Sequence, residues 1–374
     1  MTTPPSEQEA ILREALNAGA SDILITAGHP VMVNLAGRLV PLPGHARLTG
    51  ADTQRLAECF LTPELRERFL HELELDTRFT LPGVANFRIN LFMQRGQWGA
   101  AIRIVPSRIP LPAEIGLAPE VVARLLEMRH GLVLVTGPTG AGKSTTIAAL
   151  LEQVNQNDLP RHIVTVEDPI EFIFEAKNAV FDQREVLSDT RSYARGLKGA
   201  LRQLPHIIFV GEMRDLESVA IALTAAETGN LVISTMATQS AAQTVTRIID
   251  SFPPHQQAQI RSQLAMTLRA VIAQVLLPRS DGGGRVAARE IMFVTQAIQN
   301  LIREDKIHQI SNVIGTSPRE GMIGLEDSVV ALVEGGWVTP ELAAPFVEDP
   351  ERRALLYRRH RRPSPVPEPV APEA

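Results

Sequence analysis

Gly137-Pro138-Thr139-Gly140-Ala141-Gly142-Lys143-Ser144 follows an apolar run, Leu132 to Val135, and opens a helical pattern from Ser144 to Val154. The spacing is that of a glycine-rich phosphate loop, G-x-x-x-x-G-K-(S/T), with the flanks such a loop requires: a strand before it and a helix after. The glycines let backbone amides converge on phosphate oxygens, and the helix presents the positive end of its dipole there. On this reading Lys143 reaches the β- and γ-phosphates, the Ser144 hydroxyl ligands Mg²⁺, and Thr145 closes the nucleotide-binding stretch. The expected ligands are ATP and Mg²⁺. Of the 37 basic residues only four are lysines, Lys143, Lys177, Lys198 and Lys306. A lysine in this loop therefore stands out, because a compact ammonium fits between phosphate oxygens where a planar guanidinium would not.

Hydrolysis also needs an acid that holds magnesium through water or orients the attacking water. Two candidates lie just past the carboxyl ends of predicted strands, where ligands bind in open α/β sheets. Glu167, with Asp168, follows Ile163 to Val166 in V-T-V-E-D-P-I-E; Glu212 follows Ile207-Ile208-Phe209-Val210-Gly211.

Outward from the loop, further strands are expected at Ile163 to Val166, Ile207 to Val210 and Leu231 to Ser234, with helices at Ser144 to Val154 and Leu216 to Thr228. Continuous apolar strands alternating with helices indicate a parallel sheet covered on both faces. A long helical region is expected from Pro254 to Leu277, then the turn Asp281-Gly282-Gly283-Gly284, a strand from Val286 to Phe293, and helices to about Phe346.

The first part of the chain reads as a small α+β domain. It has helices at Glu7 to Ala18, Ala51 to Leu61 and Pro63 to Leu73, and extended segments at Ile23 to Thr26 and Val31 to Leu35 with a Gly37 turn. Strands follow at Thr77 to Leu81, Phe87 to Met93 and Ala100 to Val105, with turns at Pro82-Gly83 and Gly96. The proline-rich segment Pro106-Ser107-Arg108-Ile109-Pro110-Leu111-Pro112 marks the boundary. The expected division is residues 1–104, a linker at 105–118, a nucleotide-binding domain at 119–349 with a helical C-terminal part, and a tail at 350–374. That tail carries six arginines between Arg352 and Arg362 and five prolines from Pro363 to Pro372, and is expected to be disordered at its end.

Hydrophobic residues make up 44% of the 374 residues and charged residues 21%, an ordinary globular balance. No apolar run is long enough to span a bilayer and the N-terminus lacks the pattern of a signal peptide, so a cytoplasmic protein is expected. The net charge of -5 gives no sign of wholesale nucleic-acid binding. The single cysteine, Cys59, excludes an internal disulfide and a cysteine-based zinc site, and reads as a small apolar filler. His206 and His255 read as solvated surface residues, and Trp98 and Trp337 as packing or interface residues.

The chain resembles the type IV pilus retraction, or twitching-motility, ATPases of the secretion ATPase superfamily. The matching stretches are Ala20-Ser21-Asp22, Phe87-Arg88-Ile89-Asn90, G-L-V-L-V-T-G-P-T-G-A-G-K-S-T-T from Gly131 and E-D-P-I-E-F from Glu167. Q-R-E-V from Gln183, V-G-E-M-R-D-L-E from Val210, L-T-A-A-E-T-G from Leu223 and G-G-G-R-V-A-A-R-E-I-M from Gly282 continue the match. A-I-Q-N-L-I-R-E-D-K from Ala297 resembles the signature that separates retraction from assembly ATPases. The resemblance spans about residues 15–330. It implies an α/β protein, a RecA-like phosphate-loop ATPase domain behind a smaller N-terminal PAS-like α+β domain, assembled as a homo-hexamer. It implies that Glu167 and Glu212 are catalytic and magnesium-binding acids, and that arginines of the N-terminal domain complete the site. Arg88 and Arg103 are the candidates taken as catalytic, with Arg95 on the turn between them. It also implies a peripheral place at the inner membrane, on a pilus platform protein.

Several positions depart from the family pattern. R-E-D-P-D before the Glu212 strand is here Arg202-Gln203-Leu204-Pro205-His206; the histidine of G-T-L-H-T is Ala237; A-A-H-E is Ala287-Ala288-Arg289-Glu290; and A-I-R-N is Ala297-Ile298-Gln299-Asn300. A histidine near the γ-phosphate can sense hydrolysis, and alanine offers neither hydrogen bond nor charge. Two readings follow: a working retraction motor with a different sensor, or a catalytically weakened paralogue that assists a principal retraction ATPase. An assembly or secretion ATPase commonly carries a four-cysteine zinc module, which one cysteine rules out. A DNA translocase is disfavoured by the acidic charge. The arginine run reads as a solvated helix end, or as a contact for acidic lipid headgroups.

Overall fold

The computed structural model describes residues 6–35, 38–82, 84–105, 108–158, 160–213 and 215–359, with residues 358 and 359 described by backbone alone. Gly37, Gly83, Pro106, Ser107, Arg214 and the tail beyond residue 359 lie outside the described residues. The chain divides into two compact units, Met1–Arg108 with Glu171–Ile173, and Ile109–Ile170 with Phe174–Ala374.

In the first unit, helix α1 (Glu7–Asn17) precedes β1 (Asp22–Ile25), β2 (Met32–Leu35) and β3 (Arg38–Pro41). Helices α2 (Gly50–Glu58) and α3 (Pro63–Glu72) come next, then β4 (Glu74–Leu81), β5 (Ala85–Gln94) and β6 (Gln97–Val105). Helix α2 starts at a capping box. The Thr49 hydroxyl accepts from the Asp52 amide at 3.3 Å, and the Asp52 carboxylate accepts from the Thr49 amide at 2.9 Å. Thr62 caps α3 and Pro63 fills its first position, where no intrahelical donor is needed. The six strands form one antiparallel sheet in the order β3-β2-β1-β6-β5-β4. Along β5, burial alternates strictly: Phe87, Ile89 and Leu91 point into the core. Trp98 joins that core, its ring 4.6 Å from that of Phe69. Cys59 does not: it ends α2 on the surface, so the filler expected there is an exposed thiol.

The second unit begins earlier than expected. Pro112 and Leu117 are buried, and a short 3-10 turn, Pro112–Ile115, leads into α4 (Pro119–Glu127). Residues 109–118 are thus part of this unit's packing and not a linker. The chain continues through β7 (Gly131–Thr136), α5 (Lys143–Gln156), β8 (His162–Glu167), β9 (Val180–Glu185), α6 (Tyr193–Ala200), β10 (Ile207–Val210), α7 (Leu216–Glu227) and β11 (Leu231–Met236). Next are α8 (Ala241–Asp250), α9 (Pro254–Thr267), β12 (Leu268–Pro278), β13 (Arg285–Phe293), α10 (Gln296–Arg303), α11 (Ile310–Thr316), α12 (Leu325–Glu334), α13 (Pro340–Ala343) and α14 (Pro350–Arg359).

The seven strands run β13-β12-β7-β11-β10-β8-β9, all parallel except β13, which returns antiparallel to β12. Strands β7, β10 and β11 are buried at every position, as a sheet covered on both faces demands. That double burial misleads the sequence reading at one place. The helix expected to run to Leu277 stops at Thr267, and Leu268–Pro278 is strand β12. A strand buried on both faces has no period-two alternation, so its apolar run cannot be told from a buried helix by periodicity alone. Edge strand β9 is the opposite case, half-exposed with mixed residues and no apolar run to announce it.

Helices α12 to α14 close over the outer part of β12 and β13, with Leu277, Val329, Val333, Val347 and Leu356 in one small core. Part of the arginine run therefore belongs to the folded unit. Arg352 pairs with Glu326 at 3.2 Å and with Asp327, and Arg353 donates to the Val347 carbonyl at 2.9 Å. The Arg352 side chain is still 39% exposed and Arg353 is exposed, so both lie on the solvated side of α14 while their guanidiniums tie it to the folded unit.

Candidate functional site

The carboxyl ends of the parallel strands converge on one edge of the sheet. Strand β7 delivers the loop from Gly137, and α5 begins at Lys143, with Gly142 in the left-handed region at its N-cap. Gly137 adopts φ +141°, and a Cβ there would collide with the Gln274 carbonyl oxygen and meet the Ala141 Cβ at 3.0 Å. Only glycine lets the loop lie so close to β12. Pro138, Thr139 and Gly140 form an exposed crown, Ala141 is buried, and Ser144 and Thr145 are half-buried in the first turn of α5. Lys143 Nζ donates to the carbonyls of Gly137 at 2.8 Å and Pro138 at 3.1 Å, curling the side chain over the loop it belongs to.

Neighbouring strands bring the acids. Glu167 ends β8 and is buried; its Oε1 accepts from the Thr165 hydroxyl at 2.7 Å and the Gln183 amide at 3.4 Å. Asp168 beside it is exposed. Glu212 follows β10, half-buried, and the two strand ends are tied by the Gly211 amide on the Val166 carbonyl at 2.8 Å. Between loop and acids lies β11, whose Met236 carbonyl accepts from the Gly137 amide at 3.3 Å. Ala237, exposed, comes directly after it. The edge thus carries, strand by strand, the loop, Ala237, Glu212 and Glu167.

The other altered loop is elsewhere. Residues Arg202 to His206 precede β10, at the amino edge of the parallel strands, opposite the phosphate loop. His206 Nδ1 accepts from the His162 amide at 3.0 Å, and Asn230 donates to the Pro205 carbonyl at 2.9 Å. Loss of acids there alters a loop far from the phosphate-binding edge.

Arg88 and Arg103 sit in the first unit on adjacent strands. In register, Arg78 faces Arg88, Arg88 faces Arg103, and Arg103 faces Asp22. Like charges directly opposite destabilise a sheet, so a row of three arginines is not there for packing. Arg103 Nε donates to Asp22 Oδ1 at 2.9 Å. Burial opposes ionisation of Asp22, but hydrogen bonds from Arg103, Ser21 and Asn34 outweigh it and hold the carboxyl below its usual range. Arg95 takes a left-handed conformation, φ +50°, in the tight turn between β5 and β6.

Sequence reading missed the support behind the loop. Gln274 on β12 donates from Nε2 to the Ala141 carbonyl at 2.6 Å and accepts at Oε1 from the Thr146 hydroxyl at 2.9 Å. Arg289 on β13 lies directly opposite Gln274. Glu290 accepts from the Ala241 amide at 2.6 Å, fixing the start of α8 just past Ala237. Burial pushes its carboxyl up, against the amide bond that lowers it. A polar residue inside an apolar strand was the available signal, as in A-V-I-A-Q-V-L-L.

Among the described residues, no helix is long and apolar enough to cross a membrane, and no three acidic, histidine or cysteine side chains gather to hold a metal. A Mg²⁺ ion at the loop would then take most of its ligands from phosphate oxygens and water, the usual arrangement for this cation. The Ser144 hydroxyl at the helix start and the Glu212 carboxylate fit that limited donor set.

Comparison with known proteins places the chain among relatives of similar length. Residues 113–325 match the family model described as type II/IV secretion system protein. The chain is 45% identical over 343 residues to the type IV pilus retraction ATPase PilT of Pseudomonas aeruginosa, covering 91% of this chain and 98% of that one. It is 34% identical over 352 residues to the type IV pilus ATPase PilU of the same organism, covering 94% and 91%. A crystal structure of the pilus retraction motor PilT with bound ADP superposes with a TM-score of 0.86 at 43% identity, over 93% of this chain and 98% of that one. Phosphate loop, strand-end acids and these likenesses along most of the chain lead to one statement: the chain belongs to the type II/IV secretion system protein family.

Proposed function

We propose that this protein is an ATP-hydrolysing motor subunit that drives retraction of type IV pili, working in the cytoplasm as a homo-hexamer against a pilus platform protein at the inner membrane. The observation that carries this reading is the intact carboxyl edge: the loop Gly137–Ser144 with Glu212 and Glu167 on the neighbouring strands. The likeness to PilT, whose crystal structure holds ADP, supports ATP as the substrate and retraction as the task.

The chemistry is phosphoryl transfer to water, which relies on positioning and charge stabilisation. Loop amides from Thr139 to Thr145 cradle the phosphates, and Lys143 exchanges two carbonyls for phosphate oxygens. Ser144 and Glu212 would hold Mg²⁺, which would supply positive charge beside the phosphates. Glu167, buried and oriented by Thr165, is the acid set to accept the proton of the attacking water. Arg88 and Arg103 supply cationic groups that stabilise the transferring phosphate.

Ala237 favours one second reading, a weakened paralogue that assists a principal retraction ATPase. Phosphate release by the purified full chain with Mg²⁺ and ATP decides between them. Turnover well above a Glu212→Gln blank is expected, with that variant about a hundredfold slower than the parent because the charge that holds Mg²⁺ is lost. Parent turnover no higher than the blank sinks the independent-motor reading. A large gain in Ala237→His identifies a degenerated sensor and moves the protein to the assisting role.

A further inference from the structure

Behind the phosphate loop lies a buried cation that the described residues leave without a carboxylate partner. Arg289 is 5% exposed on β13. Its terminal nitrogens donate to the carbonyls of Ile115 at 2.8 Å and Gly116 at 3.2 Å, and Nε reaches Gln274 Oε1 at 3.4 Å. Its own amide donates to the Ser328 hydroxyl at 2.9 Å. Every one of these partners is neutral. Glu290, next in sequence, points to the other face of the strand and serves the α8 amide. Among the described residues no carboxylate lies within ion-pair range of Arg289, and burial alone pushes its guanidinium down to about 10, still charged at neutral pH. A buried cation without a counter-ion is unfavourable, and proteins keep one where something else balances it.

The route from Arg289 to the loop is short. Gln274 Oε1 accepts from Arg289 and from the Thr146 hydroxyl, while Gln274 Nε2 donates to the Ala141 carbonyl. That carbonyl shares a peptide group with the Gly142 amide, one of the donors of the phosphate cradle. Hydrogen bonds in series polarise one another in a low-dielectric interior, so a charge on the first donor sharpens the last.

We propose that Arg289 is a positioning residue for the nucleotide, acting through Gln274 to hold and polarise the Ala141–Gly142 peptide, with its charge balanced by the bound polyphosphate. This rests on the nucleotide-binding reading above and adds to it the residue that tunes the loop. Two effects of opposite sign follow. Without nucleotide, Arg289 is a burden on the fold; with nucleotide, it contributes to affinity. A purely structural arginine would stabilise both states alike.

The test uses the full chain, with MgADP binding followed by titration of a fluorescent analogue and by the melting shift at saturating MgADP. Arg289→Met and Arg289→Gln both remove the charge, and Gln, which keeps donor groups, gives the reading if Met does not fold. The neutral variants are expected to bind MgADP about tenfold more weakly, with an apo melting temperature equal to or above the parent's. Arg289→Lys is expected to stay within about threefold of the parent. Neutral variants that bind within about twofold of the parent, or that lose apo stability with an unchanged nucleotide shift, overturn the proposal. So does a lysine variant as weak as the neutral ones. If the parent itself gives no shift with MgADP, the nucleotide reading fails and the proposal falls with it.

Discussion

Lys143→Ala is expected to reduce Mg²⁺-dependent ATP hydrolysis by about a hundredfold or more while leaving the protein folded. Removing one charged donor aimed at a developing negative charge has an effect of that size. The folded state should tolerate the change. Lys143 Nζ donates to the Gly137 and Pro138 carbonyls of the loop, at 2.8 and 3.1 Å, and those oxygens can turn to water. Phosphate release and thermal melting, measured on the same preparation, separate the two outcomes. A variant that hydrolyses ATP at the parent rate would remove Lys143 from the chemistry and with it the phosphate-loop assignment.

Gly137→Ala is expected to act through the backbone instead. Its φ of +141° is a region populated almost only by glycine, and the added methyl would collide with the Gln274 carbonyl. Strain of this kind amounts to about 1–3 kcal/mol before the collision is counted. The methyl would be fixed to the residue directly after β7 and the carbonyl belongs to β12, so neither gives way without moving the loop start from β12. The expected result is a lower melting temperature and loss of MgADP-induced stabilisation together, in contrast to Lys143→Ala. Normal melting with normal MgADP binding would mean that the loop does not lie against β12 as described.

These two variants mark what could be read from the residues and what could not. The loop and both acids were legible because their signals are local: a fixed spacing, and a carboxylate one step past an apolar run. The antiparallel sheet of the first unit was legible along β5 for the same reason, since its alternation is confined to ten residues. Strand β12 reads as helix in the sequence because burial on both faces erases that alternation. The partners of Gln274 are 128 and 133 residues away in sequence, so its role exists only once the sheet has formed. Arg289 was visible as a departure from the family pattern, yet nothing local says that it faces Gln274. Similarly, nothing local in Gln203 to His206 tells that strand direction puts them on the amino edge of the sheet, away from the phosphate loop.

The scarcity of lysine has a practical side. Lys177 pairs with Glu152, Lys198 with Glu217 at 2.6 Å and Lys306 with Glu304 at 2.7 Å, and Lys143 bends over the carbonyls of its own loop. Acylation of amines, read by peptide mass, therefore samples very few positions, one of which is the loop itself. The chain carries its own footprinting probe at the place where nucleotide would shield it, with three carboxylate-paired amines as internal standards.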